Sequence, residues 1–155
     1  MKLLQTLKKS RALQIMMLLF ASVVVVHIIS TINKQRQSKD LAGLFSEMSM
    51  ISIPLYSACH TNRVQMQNLD EKTKLLLMEY NSMLKDKMTD AKKASRQNPS
   101  IFGEELYSKI EKLLNKTFDQ VTYMSMNNSC PKDPISSEEY EQIADETVKK
   151  VPSLI

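Results

Sequence analysis

The residues with most chemical potential are two cysteines, Cys59 and Cys130, and a histidine beside the first, His60. A Cys-His neighbour pair suggests a metal. A tetrahedral zinc site draws on about four ligands at characteristic spacings, and no further His or Cys follows at such a spacing. The alternative for two cysteines is a disulfide, which forms and persists in oxidising compartments such as a periplasm or the cell exterior. Two M-x-M units, Met48-Ser49-Met50 and Met124-Ser125-Met126, carry thioethers that suit Cu(I). Residues two apart on a helix do not share a face, so both units read as packing residues, and no metal or cofactor is expected.

Catalysis needs a nucleophile with a base, or paired carboxylates. The sequence contains no G-x-S-x-G, no H-E-x-x-H and no phosphate-binding Gly-rich loop. Glu104-Glu105 and Glu138-Glu139 sit where helices are expected to begin, and acidic residues there complement the helix dipole. An enzyme is not expected, and a hydrolase acting on the envelope is the weakest of three functional readings. Asn115-Lys116-Thr117 and Asn127-Asn128-Ser129 match the glycosylation acceptor pattern, at a frequency that chance explains.

The charge distribution decides the class of partner. The net charge is +4, but Lys2, Lys8, Lys9 and Arg11 all precede a run of uncharged residues, and every acidic residue follows it. The other 17 Lys/Arg match the 17 Asp/Glu, so the remainder of the chain is formally neutral. A basic tail beside an apolar segment marks topology or anionic lipid, and nucleic acid is not an expected partner.

That apolar run, residues 12–32, reads ALQIMMLLFASVVVVHIISTI. About 20 such residues at ~1.5 Å each cross the hydrocarbon core of a membrane. A cleaved signal would carry a shorter apolar core and a small-x-small site after it, so an uncleaved anchor is expected. Four Lys/Arg precede the run, and Lys34, Arg36 and Lys39 follow it. The slight excess, the short tail and the cysteines favour the N-terminus inside and the remainder outside. His27 lies near the end of the span, where a polar side chain can reach the interface.

The expected organisation is a basic cytoplasmic tail at 1–11, a transmembrane anchor at 12–32, a polar juxtamembrane linker at 33–40 and an extracytoplasmic helical domain at 41–155. Ser38 is placed to cap the helix that follows. On that helix Leu41, Leu44, Phe45, Met48, Ile51, Leu55 and Ala58 form an apolar stripe that Ser52 interrupts, and Pro54 predicts a kink or break. A second helix is expected over 61–97. Its stripe is Met66, Leu69, Thr73, Leu77, Tyr80, Leu84, Met88 and Ala91, with Leu75 the exception on the opposite face. Asn98-Pro99-Ser100 ends it. The third carries Phe102, Leu106, Ile110, Leu113, Thr117 or Phe118, Val121 and Met124, and a loop spans 126–134. Ser136 and Glu139 resemble a capping box before a short helix bearing Tyr140, Ile143, Ala144, Thr147, Val148 and Val151.

These stripes predict an all-α protein: one transmembrane helix followed by an antiparallel bundle of three to four helices. Up-and-down chain direction brings Cys59 and Cys130 to the membrane-distal end, where a disulfide is expected. The first functional reading is a membrane-anchored domain that binds another protein, such as an accessory or inhibitory subunit of an envelope machine. The alternative is a small-ligand sensor that signals through a partner. The last helix and its tail, with Tyr140, Ile143, Val148 and Leu154, form a candidate partner surface. Completion of the bundle core is the competing role for the same helix.

Overall fold

A computed structural model describes residues 2–62 and 69–150, with side chains over 13–59 and 69–150. It contains four α-helices: α1 (Lys2–Asn62), α2 (Glu71–Gln97), α3 (Gly103–Asn127) and α4 (Ser137–Lys150). The all-α expectation holds, and the helices pack as a bundle. The side chain of His60, Met66 and the tail 151–155, including Val151 and Leu154, lie outside the described residues.

The first finding that departs from expectation is the length of α1. It runs for 61 residues without interruption, about 90 Å at ~1.5 Å per residue. Its apolar part is long enough to cross a membrane, with a mean hydropathy of 2.5 over a window of which no residue is buried in the protein. The polar stretch 33–40 is part of the same helix. Ser38 therefore caps nothing. It is buried, and its Oγ donates to the carbonyl of Thr147 on α4. Pro54 likewise does not break α1. A proline removes the bond to the carbonyl four residues earlier, here Met50, which lies on the exposed side where water can serve it. Ile51 and Leu55 on either side are buried and hold the helix in the core.

The second departure is the start of α2. The helix begins at Glu71, ten residues later than 61, because Asp70 caps it: Oδ1 accepts from the Thr73 N–H at 2.9 Å and Oδ2 from the Thr73 hydroxyl at 2.6 Å. These bonds, the side-chain one first, hold the Asp70 carboxyl below its ordinary range. At its other end α2 stops at Gln97 as expected. Asn98 is non-helical, and a 3₁₀ turn, Pro99–Ile101, leads into α3. Gly103 opens α3 at φ +70°, a conformation other residues adopt at a cost. Asn128 closes it in the left-handed region, its N–H donating to the Met124 carbonyl.

Pairings between helices set the register. Asn98 Nδ2 donates to Gln37 Oε1, and Lys87 pairs with Glu47, so α2 runs back along α1. Asn81 Nδ2 donates to the Val121 carbonyl and to Ser125 Oγ, and Arg96 pairs with Glu111, so α3 runs back along α2. Lys109 pairs with Glu146 and Lys116 with Glu139, so α4 runs back along α3. The fully buried centre contains Leu41, Phe45 and Met48 of α1, Leu84 of α2, Phe102 before α3, Ile110 and Leu114 of α3, and Tyr140 of α4. The Gln120 side chain accepts from the Ile135 N–H at 2.8 Å and pins the 128–136 loop onto α3. One arm of the expected capping box is present, with the Ser136 N–H donating to Glu139 Oε1 at 3.4 Å.

Cys59 and Cys130 are joined in a disulfide with Cα atoms 5.3 Å apart and 71 positions apart in sequence. In the chain-entropy model, closing a loop of that size stabilises by about 4 kcal/mol. Cys59→Ser with Cys130→Ser is expected to lower unfolding stability by ~2–4 kcal/mol with helix content retained. Chemical denaturation followed by circular dichroism tests this, and an unchanged midpoint would mean the bond adds nothing to the fold.

Candidate interaction surfaces

The carboxylates considered for chemistry are spread along the seams of the bundle. Glu105 pairs with Lys109 at 3.3 Å and Glu139 with Lys116 at 2.9 Å, both at the surface. Such exposed pairs are worth ~0–1 kcal/mol and define register more than stability. Glu111 is set differently. Burial raises its carboxyl, but the Arg96 guanidinium and the Tyr107 hydroxyl outweigh this and hold it below the usual range. Among the described residues no group of three or more His, Cys, Asp or Glu side chains is arranged to hold a metal ion.

The methionine pairs split between inside and outside. Met48 and Met124 are in the core, whereas Met50 is 63% and Met126 78% exposed. Core packing therefore accounts for one member of each pair only. The helical spacing that keeps each pair from chelating one ion also sends its second member to the surface.

The residues of the partner surface expected on α4 divide between inside and outside. Tyr140 is fully buried and Ile143 nearly so, and only Val148, at 48% exposure, faces out. The apolar stripe of α4 closes the core against α1. The sequence left both roles open because a stripe looks the same whether it meets its own chain or another. Tyr140 is held inside by its hydroxyl, 2.9 Å from Thr117 Oγ1. Thr117 already donates its one hydroxyl proton to the Leu113 carbonyl at 2.8 Å, so Tyr140 is the donor of this bond. Burial first, then the neighbouring Glu139, raise the Tyr140 hydroxyl well above the ordinary tyrosine range.

Two surface features remain. The first is the seam between α3 and α4, which touch each other much less than either α1 and α4 or α2 and α3. An open groove of about 400 Å³ runs along it, with Lys109, Lys112 and Lys116 above an apolar floor of Leu113 and Ile143. Lys109 and Lys116 are paired across the seam with Glu146 and Glu139.

The second feature is a concentration of exposed apolar side chains toward the disulfide end: Leu75, Leu76, Met78 and Met83 on α2, and Phe118, Tyr123 and Met126 on α3. Large apolar side chains left exposed at one end of a bundle supply candidate contact area for a partner. Leu75 was legible as an exception to the α2 stripe; the others were not, yet a signal existed. Leu75-Leu76-Leu77-Met78 are four consecutive apolar residues. At ~100° per residue they fan around most of the helix, so one core cannot cover all four. Only Leu77 is buried. No family model, no curated protein and no solved structure matches the chain.

Two outcomes are expected for α4. Truncation after Asp133 should leave a domain that melts non-cooperatively or aggregates; a cooperatively folded truncation product would return α4 to the role of a binding element. The second concerns pH. Because Tyr140 keeps its proton in the fold beyond the pH at which an unfolded tyrosine ionises, its stabilising contribution is complete below about pH 10 and declines above it. Tyr107, raised by burial and then by Glu111, acts in the same direction. Tyr140→Phe should cost about 1 kcal/mol at neutral pH and flatten the alkaline loss of stability. Thermal melts between pH 8 and 11 check this, and identical alkaline slopes in both proteins would refute it.

Proposed function

We propose that the chain is a single-pass membrane protein with its N-terminal tail in the cytoplasm and its bundle in the periplasm or outside the cell. There the bundle binds another protein, as an accessory or inhibitory subunit of an envelope machine. One observation carries the reading: α1 continues from an exposed apolar stretch directly into a bundle closed by a disulfide at its far end. The apolar stretch favours lipid around residues 13–32, the disulfide favours an oxidising compartment, and the unbroken helix makes the two parts one body. Exposed Leu76, Met83, Phe118 and Met126 supply apolar area for a protein partner. No side chain is assigned a catalytic role.

The α3–α4 groove favours a second reading, a sensor for a small ligand that acts through a partner. Its lining, with Lys112, Gln142 and the Lys116–Glu139 pair beside apolar Leu113 and Ile143, is the kind of mixed surface that orients a small polar molecule.

The test is purification of the full chain from its native membrane. The chain should resist carbonate extraction, residues 41–155 should be cleaved by protease added from outside, and a protein should co-purify. A soluble product beginning near Thr31 would identify a cleaved signal and overturn the anchor. A co-purifying small molecule without a protein would replace binding with sensing.

A further inference from the structure

The part of α1 that belongs to the bundle is unlike the other three helices. Between residues 41 and 59 it contains a single charged side chain, Glu47, half-buried and paired with Lys87. Its exposed residues over that stretch are Gly43, Ser46, Met50, Ile53 and Ser57, and none carries charge. The exposed faces of the other helices are charged, with Glu79 and Asp86 on α2, Glu104 and Lys112 on α3, and Glu138 and Lys149 on α4. A solvated face normally resembles those three. The large apolar members of the α1 face are well exposed, Met50 at 63% and Ile53 at 52%, and a Cβ added at Gly43 would meet nothing.

The spacing is as informative as the composition. The steps from Gly43 to Ser57 are three, four, three and four residues, the alternation of the two seam positions of a coiled coil. Continued toward the N-terminus, the same alternation passes Lys39 and Arg36 and then runs through Ile32, Ile29, Val25, Ser22, Leu18 and Ile15. The seam is thus one stripe along a single uninterrupted helix, broken only by two basic residues at the level where headgroups would sit. A stripe of this period drifts ~20° per heptad on a straight helix, so two copies would follow it by winding around each other with a left-handed twist. Long basic side chains at that depth can turn their charge toward phosphates.

We infer that this face of α1 pairs with the same face of a second copy, as a parallel two-helix seam that begins in the membrane and continues along the bundle. Three arguments select a second copy. Two chains anchored in one membrane stand parallel and, because α1 is unbroken, present Gly43 through Ser57 at equal height. A contact about a twofold axis along the membrane normal needs this arrangement. An uncharged line of small and apolar residues is complementary to itself, with Gly43 and the serines admitting close backbone approach and Met50 and Ile53 filling the space between.

The third argument is area. From Gly43 to Ser57 the seam is ~21 Å long. At the ~10 Å width of a helix it covers ~200 Å² per copy, against ~800 Å² per partner in a standard interface. Continuation over residues 15–32 more than doubles the length, and confinement to one membrane raises the effective concentration. Pairing therefore depends on the membrane, and the proposal rests on the anchored reading above.

The experiment uses the full chain in its membrane, with single cysteines introduced by Ser46→Cys, Met50→Cys and Ile53→Cys. Ser82→Cys on α2 and Asn115→Cys on α3, both exposed, are controls. Mild oxidation should link two copies through the three seam positions and at least tenfold less through the controls. Met50→Lys combined with Ile53→Lys should reduce chemical cross-linking of the otherwise native chain at least tenfold. The melting transition should stay in place, because both side chains are exposed in the single chain. A carbonate-resistant chain with no seam-specific linkage would overturn the pairing and leave the anchor standing. Linkage of the seam to a different protein would also overturn it. A chain released by carbonate would overturn the anchor, and seam linkage in such a chain would overturn the membrane-dependent pairing inferred here.

Discussion

The structure depends on the continuity of one backbone. A segment surrounded by lipid must satisfy its peptide groups internally, which makes it helical throughout. The apolar stretch of α1 is helical throughout, and the helix does not end where the apolar residues end but continues to Asn62. The first residue buried in the bundle, Ser38, lies only six positions beyond Ile32, about 9 Å along the axis. The bundle has little freedom to tilt or turn relative to the segment that bears it. Ser38 helps to make this possible: a residue expected to start a helix instead bonds to the carbonyl of Thr147 on α4 and fastens the base of the bundle shut.

The lengths of the other helices follow from this arrangement. α2 and α3 run for 27 and 25 residues, whereas α4 has 14. The short helix covers the part of α1 nearest the apolar stretch, and the 128–136 loop, held by Gln120, descends to it from the disulfide end. Toward that end three helices share the work of four, which fits the exposure of Met78, Met83, Tyr123 and Met126 there. The open α3–α4 seam has a related origin. α4 places Tyr140, Ile143 and Thr147 against the core and meets α3 at the surface through long Lys–Glu pairs that keep the two backbones apart.

Much of the fold was legible from apolar spacing. Every predicted core position of α3 from Phe102 to Met124 is buried, and at the one ambiguous place the polar Thr117 is inside and the larger Phe118 outside. Thr117 enters because its hydroxyl has a carbonyl on its own helix and a phenol across the interface, partners that spacing cannot reveal. Asn81 entered the α2 core for the same kind of reason. The α2 boundary was missed because the apolar residues before Asp70 keep the helical period, while the cap is a local bond between Asp70 and Thr73. Chain direction brought the two cysteines to one end, and an oxidising compartment made a bond between them the expectation. Of the partner surface expected on α4, Tyr140 and Ile143 lie in the core and Val148 is exposed, since amphipathicity states that a face must be covered and not by what.

The position of the disulfide also determines how the molecule would respond to mechanical load. Its covalent ring encloses α2 and α3 and leaves both α4 and the apolar part of α1 outside. Tension between the apolar end of α1 and the far end of α4 would travel up α1, across the sulfur bridge and down the 131–136 segment, by-passing the two enclosed helices. Because α1 and α4 are antiparallel, the load would open their contact from the apolar end of α1 like a zipper, one turn at a time. It would first separate Ser38 from Thr147, then release Ile143 and Tyr140. The bridge would keep the ends of the enclosed segment joined, so α4 would stay beside the face it left and could close again once the load was removed.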